Sequence, residues 1–154
     1  AVADRVGVRA PSLYKRVAGR DALLTAVVAA TLEELTSSLV AAAAAAPEAR
    51  SRLVALAEAM RAFAHRSPVG YGLVFAPQSA TGPDASALAR AAEPLLEATR
   101  DLVGDDDALD AARLLTAWLH GFLAMDLAGA FRLGGDVDEA FAYGLDRILE
   151  AMER

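Results

Sequence analysis

The stretch from Val6 to Leu24, VGVRAPSLYKRVAGRDALL, predicts a helix-to-helix turn followed by the start of a long helix. Gly7 supplies a residue that readily adopts positive φ, as a sharp turn between two helices requires. Pro11 suits the first turn of a short helix over residues 10–17, because its missing N–H would have no partner there. Ala18 and Gly19 then break the helix. Two short helices joined by a glycine turn are typical of a helix-turn-helix.

Downstream of this stretch, apolar residues recur at helical spacing. A long helix is predicted over residues 20–45, where leucine and valine step by three or four positions. A second helix lies between Pro47 and Pro68, with an apolar face that runs from Leu53 to Ala64. The following residues, 69–75, are expected to form a short helix or a turn.

The second half of the chain predicts three more helices after a loop at residues 77–83. A helix over 85–103 contains Pro94, which is expected to kink or split it. A helix over 109–133 is apolar nearly all round, so burial on more than one side is expected. Asp136 and Glu139 resemble a capping box that begins the last helix. No segment predicts a strand, and the fold class is predicted to be all-α.

Composition excludes several classes of protein. The chain has 154 residues, 55% of them hydrophobic, and no cysteine, so a disulfide scaffold and a thiolate metal site are excluded. The two histidines are far apart, and no metal or other cofactor is predicted. We expect no membrane span and a cytoplasmic location. The alanine content and the single lysine among many arginines suggest a GC-rich bacterial genome.

Charge is distributed unevenly along the chain. The net charge is −6, yet residues 1–20 carry five basic side chains against one acidic one. A basic head on an acidic body indicates local contact with a polyanion, although five solvated cations with no partner are an equally open interpretation.

DNA contacts follow if the second helix of the helix-turn-helix enters the major groove with its N-terminal end near the base edges. Residues at that end could read bases, through an arginine on guanine, a hydroxyl, or an apolar contact with a thymine methyl group. These candidates are Arg9, Ala10, Pro11 and Ser12. A second group is expected to reach phosphates, helped in one case by the N-terminal end of the long helix. These are Tyr14, Lys15, Arg16 and Arg20.

The segment 2–24, VADRVGVRAPSLYKRVAGRDALL, resembles the DNA-binding segment of the tetracycline-repressor (TetR) family of bacterial regulators. The resemblance rests on the turn at Ala3, Gly7 and Val8, on Leu13-Tyr14, and on the residues 20–24 that open the long helix. A shorter resemblance, at 118–121 and 127–129, is to a C-terminal ligand-binding domain with a Trp-His-Gly signature.

This resemblance implies the domain organisation. Residues 1–19 are then a partial helix-turn-helix, because the first helix of the family precedes residue 1. Residues 20–45 form the linker helix, and residues 46–154 bind a ligand and dimerise. It also implies a homodimer, formed through the last two helices as a four-helix bundle, that reads an inverted-repeat operator.

Two sets of residues are candidates for the dimer interface. A strip of small side chains recurs at i, i+4, i+7 and i+11, which allows close helix approach either within the chain or across a dimer. This strip is Ala117, Gly121, Ala124 and Ala128. The second set is one apolar face of the last helix, namely Val137, Phe141, Leu145 and Ile148.

A cavity for a small apolar effector is predicted among the middle helices. Its candidate lining is largely aromatic, and the alternative is that these side chains simply fill the core. The candidates are Met60, Phe63, Tyr71, Phe75, Trp118 and Phe122. His120 is expected to be a core histidine satisfied by a neighbouring helix, or one at a subunit seam, and the alternative is a hydrogen bond to an effector. Asp126 is expected to be exposed, paired or functional.

The function predicted from these features is a ligand-responsive transcriptional repressor and not an enzyme. No HExxH motif, phosphate-binding loop or close nucleophile–base pattern occurs in the sequence. Catalytic residues can converge from distant positions, so an all-α enzyme remains an alternative. A helical dimer that serves as an interaction module without DNA binding is another.

Overall fold

The structure, a computed structural model, describes residue 7, residues 18–75 and residues 83–153. The described residues form α-helices and connecting turns with no strand among them, which confirms the predicted all-α class. The helices are α1 (Arg20–Ala44), α2 (Ala49–Arg66), α3 (Pro68–Val74), α4 (Ala85–Val103), α5 (Ala108–Leu127) and α6 (Val137–Met152).

Helix α1 ends one residue before the predicted boundary and buries a single stripe. Val28, Leu32, Leu35 and Leu39 face the bundle, where α1 packs against α2 and α4. Helix α1 is long and apolar enough to cross a membrane by length and composition alone, because the mean hydropathy of an 18-residue window in it is 1.5. Its leucine stripe is instead covered by protein, and two consecutive glutamates at 33–34 would be costly in a bilayer.

Helices α2 and α3 form a tight corner at Pro68. Glu48 and Ser51 make a reciprocal capping box at the start of α2, and Pro68 occupies the first turn of α3, where its missing N–H is harmless. Gly70 is required at this corner, because a Cβ there would lie 2.9 Å from the Thr31 methyl carbon and 2.5 Å from the Ser67 hydroxyl. The short helix therefore sits close against α1.

Helix α4 is continuous through Pro94, so of the two effects expected of the proline, a kink or a split, the split does not occur. A proline removes only one backbone donor, and α4 packs on α1, α2 and α5, which hold its two halves together. Asp84 caps the helix by accepting a hydrogen bond from the Ser86 backbone N–H.

Helix α5 ends at Leu127, whereas the sequence predicted a helix to residue 133. Gly129 has φ +60°, its N–H bonds to the Asp126 carbonyl, and the Ala130 N–H bonds to the Met125 carbonyl. This pair of bonds is a Schellman motif, with glycine in the left-handed position. The apolar residues that follow concealed this end in the sequence.

Helix α6 begins as predicted and packs mainly on α5. The Asp136 carboxylate accepts hydrogen bonds from the backbone N–H groups of Asp138 and Glu139, at 2.7 and 3.3 Å. Its buried stripe consists of Phe141, Leu145 and Leu149.

Candidate functional site

A cavity of about 260 Å³ lies among helices α1 to α5. Helix α1 contributes three leucines from its buried stripe, and α2 contributes Leu56, Ala57 and Met60. The remaining described lining comes from the end of α3, from α4 and from α5. These residues are Val74, Phe75, Leu88, Ala91, Ala92, Leu95, Leu115, Thr116 and Leu119.

The described lining is almost entirely hydrocarbon. Thr116 supplies its one hydroxyl, Met60 supplies a thioether, and no charged side chain belongs to the lining that the structure describes. A partly open cavity with walls of this kind favours apolar groups over water.

Two of the six side chains predicted to bind the ligand, Met60 and Phe75, line this cavity. Phe63 is fully buried in the core, with the Arg66 guanidinium 5.4 Å from its ring centre. It fills space between helices and does not border the cavity.

Tyr71 lies one layer behind the cavity wall. Its hydroxyl is 3.0 Å from His120 Nδ1, and its ring centre is 4.7 Å from that of Phe75. The His120 ring also packs on Phe75, at 5.1 Å between centres. Burial raises the pKa of Tyr71 to about 12. His120 is therefore a histidine satisfied by a neighbouring helix, as predicted, and it holds Phe75 against the cavity.

Trp118 and Phe122 face α6 and not the cavity, so the predicted orientation is wrong for both. Their rings pack on the Phe141 ring with centres 5.6 and 5.3 Å apart. Phe131, in the turn after α5, closes this cluster at 4.9 Å from Phe122. The reason is helical geometry. The cavity face of α5 carries Leu115, Leu119 and Thr116, and at about 100° per residue Trp118 and Phe122 lie on the side of this face away from Thr116, where α6 packs.

A cluster of charged side chains, separate from the Tyr71–His120 pair, links α2, α5 and α6. The Asp126 carboxylate, 13% exposed, accepts a hydrogen bond from Arg61 at 3.3 Å and lies 2.8 Å from His65 Nε2. Arg61 also donates to Asp138 at 2.6 Å. Of the three roles left open for Asp126, the structure assigns the paired one. The acidic run at 105–107 is exposed, and no group of metal-binding side chains occurs in the described ranges.

The candidate dimer residues divide into two groups. The small strip on α5, at positions 117, 121, 124 and 128, is exposed, and a Cβ added at Gly121 would meet no atom within 4 Å. On α6, by contrast, Phe141 and Leu145 are buried within the chain itself, and Val137 and Ile148 are half-buried.

Most of the candidate DNA-binding residues lie outside the described residues. Within them, Gly7 has φ +67°, the positive value that the turn was expected to need. Arg20 is exposed at the first position of α1, where the preceding Gly19 provides no side-chain cap.

The sequence prediction missed the leucines, which make up 8 of the 15 described lining residues. Leu32, Leu35 and Leu39 have ordinary core spacing, and nothing in that pattern separates a wall of a cavity from a filled core. Thr116 carried the one available signal, a hydroxyl in a strongly apolar helix.

Comparison with known proteins agrees with this architecture. The chain is similar to the crystal structure of a candidate regulatory protein, SCO4313, with 28% identity and a TM-score of 0.78 over 97% of this chain and 83% of the other. A protein of unknown function from Rhodococcus sp. RHA1 is similar at 25% identity and a TM-score of 0.77, over 99% and 82%. No curated protein matches the sequence.

Residues 53–148 match the model of the tetracyclin repressor-like C-terminal domain. The match runs from α2 through the cavity walls to the middle of α6, which is more than half of the chain. With the helical bundle that surrounds the cavity, this match shows that the chain belongs to the tetracycline repressor-like family.

Proposed function

We propose that this protein is a ligand-responsive transcriptional repressor that leaves an inverted-repeat operator when a small apolar effector binds. The observation that carries the proposal is the position of α1. Leu32, Leu35 and Leu39 of this helix form one wall of the cavity, and its first residue follows the helix-turn-helix sequence directly. A ligand in the cavity therefore touches the helix that continues into the DNA-binding head.

The effector acts through the equilibrium between two states of the dimer. It shifts that equilibrium only by as much as it binds one state more tightly than the other. The released state is the one in which the spacing of the two heads no longer matches the half-sites.

The DNA contacts proposed for the head divide into two kinds. Arg9 to Ser12 meet base edges and specify the sequence, whereas Tyr14, Lys15, Arg16 and Arg20 meet phosphates and set the register. The exposed, uncapped start of α1 supports the last of these, because free backbone N–H groups and the helix dipole favour a phosphate.

The homodimer is proposed to form through α5 and α6. The exposed small strip on α5 is bordered by exposed Leu114 and Met125, and α6 adds exposed Tyr143. Phe141 and Leu145 are buried under this surface, where they belong to the core of the same chain. From the sequence resemblance at 118–121 and 127–129, the C-terminal domain is proposed to be of the Trp-His-Gly type. In this domain Trp118 packs on α6 and His120 bonds to α3.

Fluorescence anisotropy with labelled DNA from the region flanking the coding sequence tests the proposal. The full-length protein is expected to bind an inverted repeat. Lys15→Ala should weaken binding to all sequences alike and lower the salt slope by about one unit. Arg9→Ala should instead relax discrimination at one base pair per half-site, by about 1–3 kcal/mol.

Two results would contradict the proposal. Absence of sequence-specific binding would favour an interaction module, and turnover of a compound that occupies the cavity would favour an enzyme. Identical effects of Lys15→Ala and Arg9→Ala would contradict the division into phosphate and base contacts.

A further inference from the structure

We propose that the cavity selects uncharged molecules with a compact hydrocarbon body of about ten carbon atoms and one hydrogen-bonding group, which Thr116 recognises. This inference rests on the effector role proposed for the cavity, and it adds the chemical class of the ligand and the residue that determines specificity.

The volume sets the size of the ligand. An engineered apolar cavity of about 150 Å³ in another protein stays dry and binds benzene, a molecule of six carbon atoms. The cavity here measures about 260 Å³. In proportion it accommodates about ten carbon atoms, the size of a fused two-ring aromatic or a monoterpene.

The walls exclude charge. Leucine, alanine, valine, phenylalanine and methionine make up the described lining apart from Thr116. The Tyr71 hydroxyl and His120 Nδ1, the polar pair nearest to Phe75, are bonded to each other at 3.0 Å. A carboxylate or ammonium placed here would lose its hydration without gaining a partner from the described walls, and that costs several kcal/mol.

Thr116 is the polar exception, and its hydroxyl differs from those of the other threonines in the described helices. The hydroxyls of Thr25, Thr31, Thr36 and Thr99 each donate to the backbone carbonyl four residues earlier. Within the described part of the chain, the Thr116 hydroxyl makes no such bond, and the residue lies on the cavity wall beside Leu115 and Leu119. Because no carbonyl of its own helix takes up the hydroxyl, its donor and acceptor capacity is available to an occupant of the cavity.

Three probes of the same ten-carbon frame separate these contributions: 1-naphthol, naphthalene and 1-naphthoate. Binding to the full chain is measured by isothermal titration calorimetry, without DNA. Naphthol is expected to bind about two- to tenfold more tightly than naphthalene, the range of one neutral hydrogen bond. Naphthoate should bind about a hundredfold more weakly than naphthol.

Three substitutions locate the effects. Thr116→Val keeps the shape of the side chain and should abolish the preference for naphthol while leaving naphthalene binding unchanged. Thr36→Val is the matched control, because Thr36 bonds within its own helix and does not line the cavity, so the preference should persist. Ala91→Leu fills part of the cavity and should weaken both neutral ligands at least tenfold without lowering the melting temperature.

Naphthoate binding as tight as naphthol would overturn the charge argument. A preference for naphthol that survives in Thr116→Val would overturn the role of Thr116, and unchanged affinities in Ala91→Leu would place the ligand elsewhere. These outcomes are independent of the regulator proposal. If the neutral probes bind as expected but never displace operator DNA, the ligand class stands and the repressor role fails. If operator DNA binds but no probe does, the ligand class fails.

Discussion

The Tyr71 hydroxyl is a buried ionisable group whose pKa the fold raises. Burial raises its pKa from 10.0 to about 12, so the unfolded chain loses the phenolic proton first as the pH rises. The stabilisation that the raised pKa provides is complete below pH 10 and is lost as the pH approaches about 12.

We therefore expect the free energy of unfolding to fall by about 2–3 kcal/mol across that pH interval because of this residue. Urea unfolding at a series of pH values measures it. In Tyr71→Phe this part of the decrease should be absent, whereas Tyr143→Phe should retain it, because Tyr143 is exposed. Parallel curves for the wild type and Tyr71→Phe would contradict the assignment.

Arg61 and Asp126 form the least exposed ion pair among the described residues, at 18% and 13% exposure. Arg61→Met leaves the mostly buried carboxylate with only His65 beside it. We expect a loss of about 2 kcal/mol in the free energy of unfolding, measured in urea.

The matched control is Arg113→Met, since the Arg113–Asp110 pair is exposed on both sides and should contribute less than about 1 kcal/mol. The double variant Arg61→Met/Asp126→Leu should recover part of the loss, because no unpaired charge remains. Equal losses in the free energy of unfolding for the Arg61 and Arg113 variants would mean that burial of the Arg61–Asp126 pair does not increase its contribution to stability.

Helix α6 packs closely against Trp118 of α5 at Gly144, because glycine has no side chain there. A Cβ on Gly144 would lie 2.6 Å from Cζ2 of Trp118, whose ring packs against both Phe122 and Phe141. Gly144→Ala is therefore expected to destabilise the protein by about 1–3 kcal/mol, seen as a lower midpoint in urea.

Gly72→Ala is the control for the change of glycine to alanine in a helix. A Cβ at Gly72 meets nothing within 4 Å, so the lower backbone entropy of the unfolded chain should stabilise the protein by about 0.5–1 kcal/mol. If Gly144→Ala were the more stable of the two variants, the Trp118 ring would have to move aside at little cost in free energy.

At the scale of the whole molecule, the exposed strip on α5 predicts the mode of association. Gly121→Leu adds a side chain where its own chain leaves open space, so the fold should tolerate it. In a dimer packed through this strip, the added leucine should cost about 1–3 kcal/mol of association, which is roughly a 5- to 150-fold weaker dimer.

Sedimentation velocity over a range of concentrations measures this effect. Ala89→Leu, at an exposed position on α4, should leave association unchanged. An undisturbed dimer in the Gly121→Leu variant would move the interface away from α5.

Sequence periodicity predicted the helices well, and local signals predicted most of their ends. Pro68 and Asp136 act at short range, through a missing donor and a capping carboxylate. Gly129 was overlooked because the apolar pattern continues past it. Pro94 does not split its helix, because packing on three other helices outweighs one lost hydrogen bond.

The amino-acid sequence by itself determined the all-α class, the helix order and the resemblance to the tetracycline-repressor family, because these depend on residues close together in the chain. Only the tertiary structure decided which residues line the cavity. Trp118 and Leu119 are neighbours in sequence, yet one packs on α6 and the other on the cavity. A helix turns by about 100° per residue, so its partners in space determine which of its apolar faces borders a void and which fills the core.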